Sequence, residues 1–327
     1  MPKYKVVISD HYYENLAQEE ELLQKLDAQL LAYHYQTAGD VLEAARDCDV
    51  LICEWAPITR QVIEGLTRCR GIVRYAIGVD NIDVAAATER GIPVCNVPDY
   101  CLDEVSNQTI ALLLDCARKL TFSANMLKQG VSSYTALKPL HRLAGQTLGL
   151  MGFGHIPQLV ARKLAGFGLR LITYDPYLPE EAVRRLGVTP VSFDELLGQS
   201  DYLSLHCPLT GETRHLFNEG TLRRMKKTSV LLNTARGAIV DTNDLVRALQ
   251  EGTIAMAGLD VTEEEPLPAD ALLLKLPNAV VTPHLAWYSE EAIRSLQLGV
   301  AQETARLLQG EPPLHVVNKL GLRGRSL

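Results

Sequence analysis

The chain has 327 residues, of which 47% are hydrophobic and 22% charged, enough apolar material for two domains with separate cores. A formal net charge of −7 argues against a polyanionic partner such as nucleic acid. No apolar run approaches the roughly 18 residues of a membrane span, and the first residues lack the apolar stretch of a signal peptide. The seven cysteines are Cys48, Cys53, Cys69, Cys95, Cys101, Cys116 and Cys207. Their odd number, the lack of any C-x-x-C and their apolar surroundings point to reduced thiols in the cytoplasm, with no disulfide frame and no metal site.

In chain order, residues 4–9 read as a strand. Residues 14–31 read as a helix, with apolar spacing at Leu16, Leu22, Leu23, Leu26 and Leu30. A short strand is predicted at 33–35 and a helix at 40–47, with Asp40 as its N-cap. Strands at 50–53, 72–75 and 93–95 then alternate with helices at 59–65 and 84–90, each helix closed by a glycine, Gly65 and Gly91. This alternation predicts a parallel sheet with helices on both faces. Its first turn has no phosphate-binding glycine pattern.

Residues 104–119 predict a long helix that carries the chain into a second unit. Residues 130–143 show no clear period and read as a covering loop or a dimer contact. The second unit runs from Gly145 to about Thr282. Six strands are predicted in it, at 148–151, 171–174, 202–205, 229–233, 256–260 and 279–282. Helices are predicted at 157–167, 194–197, 219–225 and 242–251. A last helix at 289–308 folds back onto the first unit. The expected architecture is therefore α/β, two Rossmann-like domains with doubly wound parallel sheets and an active site in the cleft between them. One domain comprises residues 1–101 and 289–327, and the other residues 102–288. Lys319, Arg323 and Arg325 fall in a stretch that reads as a solvated, frayed terminus.

The second unit opens with Leu148-Gly-Leu-Met-Gly-Phe-Gly154, a strand and a glycine turn, followed by a helix and a strand that ends in Asp175. This is the dinucleotide-binding fingerprint. Gly152 permits the tight turn. Gly154 lets the backbone approach a pyrophosphate seated on the helix N-terminus. Asp175 is placed to accept from the adenosine ribose hydroxyls and to repel a 2′-phosphate, which argues for NAD. The third glycine of the pattern is Pro157 here. A proline in the first helical turn costs little, because its missing N–H has no partner within the helix, so the site is expected to survive with the helix slightly further out. His155 and Ile156 in the turn, and Thr234 and Ala235 at the end of a later strand, are counted with the cofactor-binding set.

Three segments sit at predicted strand ends, where an open α/β sheet binds ligands. They are Leu232-Asn-Thr-Ala-Arg-Gly-Ala-Ile-Val-Asp241, Gly258-Leu-Asp-Val-Thr-Glu-Glu-Glu-Pro266 and Val281-Thr-Pro-His-Leu-Ala-Trp-Tyr-Ser-Glu290. Together they supply the parts for hydride transfer to a 2-oxo acid. Arg236 can grip the carboxylate with both arms of its fork. His284 can donate a proton to the carbonyl oxygen and take it back in reverse. Glu265 can pair with His284, orient the ring and favour its protonated form. Asp260 can accept from the nicotinamide carboxamide. Singly, each has a structural reading: a capping arginine, a solvated glutamate run, a core histidine. The set beside a dinucleotide fingerprint favours chemistry.

On these segments, together with Gly78-Val-Asp-Asn-Ile-Asp83 and Val97-Pro-Asp-Tyr-Cys-Leu-Asp-Glu-Val105, nearly the whole chain resembles the D-2-hydroxyacid dehydrogenases. The resemblance implies that Arg236, Glu265 and His284 are catalytic, with Glu265 chosen over Glu263 and Glu264 because it directly precedes proline. It also implies substrate contact by backbone at Ile77, Gly78 and Val79, a cofactor lining of His206, Cys207, Pro208 and Thr213, and a homodimer joined through the nucleotide domains. Within the family, Ala286-Trp-Tyr-Ser-Glu290 is most similar to the C-terminal-binding-protein branch. That branch implies a second function, an NAD(H)-sensing corepressor-like interaction protein with weak catalysis. Trp287 is then expected either to line a pocket for a bulkier 2-oxo acid or to pack between domains. Phosphoglycerate dehydrogenase is a further neighbour. Its phosphate-binding arginines fall where this chain reads Cys53-Glu-Trp-Ala-Pro57, and an acid there is expected to oppose a phosphorylated substrate. The chain is also expected to lack a regulatory domain beyond Leu327.

Overall fold

The computed structural model describes residues 2–318. Lys319, Arg323 and Arg325, expected in a frayed terminus, lie outside the described residues. Two compact units divide the chain, one built from the residues up to Cys101 with those from Ser289 on, the other from Leu102–Tyr288.

The first unit alternates strand and helix: β1 Tyr4–Ile8, α1 Ala17–Gln24, β2 Ala28–Ala32, α2 Ala38–Ala45, β3 Val50–Cys53, α3 Arg60–Gly65, β4 Gly71–Arg74, α4 Val84–Glu89 and β5 Val94–Cys95. The sheet is parallel, in the order β2-β1-β3-β4-β5. Both of its faces are covered, which is why its strands are apolar runs with no alternation. Val7, Leu51, Ile72 and Val94 pack with α2, α3 and α4 on one face. Val6, Ile8, Ile52 and Val73 pack on the other with Leu296, Val300 and Leu307. Those last residues belong to the terminal helix of the unit.

Three expectations about the elements of this unit fail. The helix foreseen at 14–31 stops at Gln24, and the second strand is Ala28–Ala32 instead of residues 33–35. Asp27, at φ +56, turns the chain between them. Leu26 and Leu30, which fit a helical period, face one core, and Leu31 faces the other. That is an edge strand with partly buried leucines on both faces, whose short apolar run periodicity alone does not separate from a helix. Tyr33 and Tyr35 only prolong the ladder, donating to the carbonyls of Ile8 and Ser9. The cap of α2 is Thr37, whose hydroxyl accepts from Asp40 N–H; Asp40 lies inside the first turn.

The second unit begins with α5 Leu102–Arg118 and α6 Leu120–Lys128, separated by Lys119 at φ +52. It continues through β6 Thr147–Met151, α7 His155–Lys163, β7 Arg170–Tyr174, α8 Glu180–Arg185, β8 Thr189–Pro190, α9 Phe193–Gln199, β9 Tyr202–Leu205, α10 Glu219–Leu222, β10 Val230–Asn233, α11 Thr242–Gln250, β11 Met256–Leu259, α12 Leu272–Lys275 and β12 Ala279–Val281. Seven parallel strands lie in the order β12-β11-β10-β9-β6-β7-β8. The seventh is β8, a two-residue edge strand too short to leave a pattern; this corrects the six strands expected. Also missed are α6, none of whose residues is buried, and the short helices α8 and α12. Chain order reverses between β6 and β9. Ligands bind at such a switch point, beyond the C-terminal ends of the strands. Helix α13, Glu290–Gln309, packs on α1 in the first unit.

Candidate active site

The glycine turn lies at the switch point. Gly152 follows β6 at φ +88, a conformation that strains any L side chain. A Cβ there would sit 3.2 Å from the His206 carbonyl carbon and oxygen. The turn therefore nests directly on the backbone after β9. Gly154 caps α7, and no atom lies within 4 Å of where its Cβ would be. A phosphate can approach that open side along the helix N-terminus. Pro157 is buried in the first turn of α7, and the helical ladder starts normally with Gln158 N–H donating to Gly154 O at 3.2 Å. His155 is exposed, and Ile156 packs against the core beneath. Asp175, one residue past β7, accepts from Phe153 N–H (2.8 Å) through one carboxylate oxygen and from Tyr177 N–H (2.9 Å) through the other. It braces the glycine turn. An open cradle, a helix N-terminus and an acid at the end of the second strand fit a dinucleotide.

The rest of the expected cofactor lining divides. His206 hydrogen-bonds Ser204 Oγ through Nε2 at 2.9 Å, and burial pushes its imidazole down to about 3, so the ring is neutral. Burial likewise pushes the Cys207 thiol up to about 11, which makes it inert packing. Thr213 turns its hydroxyl onto Pro208 O (2.7 Å) and shapes that loop. Thr234 is 8% exposed and shares a hydrogen bond with Thr109 of α5 at 2.8 Å. Its side chain therefore ties β10 to α5, and Ala235 beyond it is half-buried.

Around His284 the structure is tightly determined. The residue adopts φ +50, a left-handed conformation that a histidine holds only when its surroundings enforce it. Asp260, 1% exposed, supplies that enforcement. Its main-chain carbonyl accepts from His284 N–H (2.8 Å). Its carboxylate accepts from Thr282 Oγ1 (2.5 Å), Leu285 N–H (3.2 Å) and Ala286 N–H (2.8 Å). Trp287 closes the loop by donating its indole N–H to the His284 carbonyl at 3.0 Å. The Asp260 and Trp287 side chains thus both hold the histidine loop.

His284 Nδ1 meets Glu265 Oε2 at 2.7 Å, which leaves Nε2 as the other ring nitrogen. Glu265 Oε1 accepts from Thr262 N–H at 3.0 Å. Burial works to raise the Glu265 carboxyl, but the His284 hydrogen bond and charge, the Thr262 N–H and the Arg236 charge outweigh it and hold the group below its ordinary value. Arg236 is therefore electrostatically part of the same site. Its Nη1 donates to Ala235 O (2.7 Å), and Asn233 Nδ2 holds its carbonyl (2.8 Å). Gly237, next in sequence, packs so closely that a Cβ would fall 2.0 Å from the Thr262 carbonyl. The arginine segment and the glutamate loop are in backbone contact.

A depressed folded-state value contributes stability that is complete above the unfolded value and is lost as pH falls through the folded one. Glu265→Gln is accordingly expected to cost about 1–2 kcal/mol at neutral pH, discounted for the partial exposure of the pair. The difference from wild type should vanish in acid. Urea denaturation at pH 7 and pH 3 checks this, and an equal difference at both would show that the carboxylate charge is irrelevant.

Sequence reasoning missed a second histidine–glutamate pair. His215 Nε2 lies 2.5 Å from Glu263 Oε1, and Glu263 Oε2 accepts from Thr242 N–H at 2.8 Å. Glu263 thus belongs to a bonded corner beside the Glu265 loop and is not an idle member of a solvated run. His215 stands next to no motif, and only its φ of +51 in the structure marks it.

In the first unit, Ile77 and Val79 follow β4. Their carbonyls are taken by Asn96 Nδ2 (2.5 Å) and Ile82 N–H (3.0 Å). Glu54 corrects an expectation. It is 6% exposed, and burial, followed by the Asp10 charge, pushes its carboxyl up to about 7. It is not a surface anion that could repel a phosphorylated substrate. The neighbouring base, Arg60, is committed to Glu89 through two hydrogen bonds of 2.6 and 3.1 Å.

Sheet order and glycine cradle define a dinucleotide-binding oxidoreductase. Residues 110–286 match the model of the D-isomer specific 2-hydroxyacid dehydrogenase NAD binding domain, and the chain belongs to that family. It is an NAD-dependent oxidoreductase of the class acting on CH–OH donors. It is 41% identical to a glyoxylate reductase of Korarchaeum cryptofilum over 85% of both chains. It is also 41% identical to a D-3-phosphoglycerate dehydrogenase of Methanocaldococcus jannaschii, over 86% of this chain and 54% of that protein. A glyoxylate reductase structure from Paecilomyes thermophila superimposes with a TM-score of 0.88 at 31% identity, covering 98% of this chain and all (100%) of that one.

Proposed function

We propose that the protein reduces small, unphosphorylated 2-oxo acids, glyoxylate and hydroxypyruvate among them, to 2-hydroxy acids, of D configuration wherever C2 becomes a stereocentre. The observation that carries this is the His284–Glu265 pair at 2.7 Å, with the Arg236 segment in backbone contact with the same loop. NADH, when bound, supplies the hydride. Arg236 holds the substrate carboxylate. His284 delivers its Nε2 proton to the carbonyl oxygen as charge develops there. Glu265, bonded to Nδ1, keeps the ring oriented and stabilises its cationic form before transfer. The second Asp260 carboxylate oxygen accepts one donor and has capacity for the carboxamide. The relatives named glyoxylate reductase and the committed state of Arg60 support a small acid without phosphate. We further propose a cytoplasmic homodimer. Among the described residues, which include every cysteine, no disulfide forms, and no helix is long and apolar enough to cross a membrane. Leu120, Leu127 and Tyr134 lie exposed along and just after α6, a face that a second nucleotide-binding unit can cover.

The test is NADH oxidation with glyoxylate, hydroxypyruvate, pyruvate and phosphohydroxypyruvate. Turnover of the unphosphorylated acids is expected; preference for phosphohydroxypyruvate would overturn the substrate assignment. Asp175→Ala is expected to weaken NADH binding roughly tenfold, as loss of one charged hydrogen bond does, and to narrow the preference over NADPH. Kinetic constants for both cofactors check it, and equal use of both by the unaltered protein would remove Asp175 from this role.

A further inference from the structure

The first unit carries a pair of cysteines with no part in the reaction. Val50 of β3 pairs in register with Gly71 of β4, and Arg70 N–H extends the ladder by donating to Asp49 O at 2.7 Å. One residue further back on each strand stand Cys48 and Cys69, at equivalent positions. Neighbouring strands lie about 4.8 Å apart, inside the separation of roughly 4.4–6.8 Å that a disulfide spans between Cα atoms. Both cysteines pack in one core cluster, Cys48 fully buried and Cys69 at its half-exposed edge.

Their surroundings hold them in place. Asp49, between Cys48 and β3, accepts from Lys5 N–H (2.8 Å) and pairs with Arg68 Nη2 (3.0 Å) and Arg70 Nε (3.6 Å), the residues on either side of Cys69. The Cys69 thiol donates to the Gly71 carbonyl at 3.1 Å. The Cys48 thiol donates to the Cys69 sulfur, which draws Cys69 below its ordinary value and pushes Cys48 up. By contrast, burial pushes Cys53 and Cys116 up to about 12. A partly exposed thiol next to a second thiol that can resolve it is the arrangement that reacts with peroxides.

We propose that Cys48 and Cys69 form a reversible redox site that hydroperoxides oxidise to an intrachain disulfide. The Cys69 thiolate attacks the peroxide oxygen and the O–O bond breaks, giving a sulfenic acid and, after protonation, water or an alcohol. The Cys48 sulfur then attacks the Cys69 sulfur, the S–O bond breaks and water leaves. Two thiols are oxidised and one peroxide is reduced. A dithiol reverses the bridge by exchange.

To test this, the full chain is treated with hydrogen peroxide, alkylated under denaturing conditions and digested without reduction. Mass spectrometry is expected to find the Cys48 and Cys69 peptides joined and lighter by two hydrogens, with dithiothreitol restoring both thiols and the remaining cysteines alkylated. In Cys48→Ala and Cys48→Ser, Cys69 should instead accumulate as a sulfenic acid that dimedone labels. A bridge through another cysteine would overturn the proposal. So would irreversible over-oxidation of Cys69 in the unaltered protein with Cys48 still reduced, or no oxidation of either. The unaltered chain decides these outcomes without any variant having to fold.

Discussion

His284→Ala is expected to lower turnover by about 10²–10⁴-fold, the usual contribution of a positioned proton donor, with NADH affinity essentially unchanged. The separation follows from the geometry. The imidazole meets Glu265, whereas the glycine turn and Asp175, the proposed dinucleotide cradle, follow β6 and β7. The fold should survive, because the loop is held through the main chain of residue 284 and the Asp260 carboxylate, which alanine leaves in place. The left-handed conformation favours alanine no more than histidine, so a small loss of stability is expected too. Steady-state kinetics with NADH fluorescence titration checks the prediction. Loss of NADH binding in parallel with turnover would mean that the residue is structural.

Arg236→Lys is expected to raise KM for the 2-oxo acid by about 10–100-fold and to change kcat much less. A lysine keeps the charge but not the planar fork that engages both carboxylate oxygens. The retained charge continues to hold the Glu265 carboxyl down, so the acid limb of the pH–rate profile should stay where it is. That distinguishes a lost substrate grip from a disturbed acid–base pair. An unchanged KM would remove Arg236 from the substrate site.

Most of this framework was legible in the sequence because its signals are local. The glycine turn between β6 and α7, the acid after β7 and the three segments at strand ends each state their geometry within a few residues. What escaped depended on tertiary context. Residues 28–32 carry apolar spacing that suits a helix as well as an edge strand whose leucines pack on two faces, and the two cores of the first unit decide between them. The part that the Asp260 and Trp287 side chains play in holding the left-handed turn at His284 escaped for a similar reason, since no residue type there announces that conformation. Glu54 reads in sequence only as an acid able to oppose a phosphorylated substrate; its burial comes from the convergence of β1 and β3 on Asp10, whose carboxylate accepts from Glu54 N–H at 3.1 Å and Ala56 N–H at 3.0 Å.

The central claim is direct hydride delivery to C2 of a 2-oxo acid with proton delivery by His284. The measurement that tests it most directly uses NADH carrying deuterium at both C4 positions of the nicotinamide, with pyruvate as a prochiral substrate. Deuterium on C2 of the product, D configuration and loss of product with His284→Ala are predicted. Product of L configuration, or product without deuterium, would contradict the account.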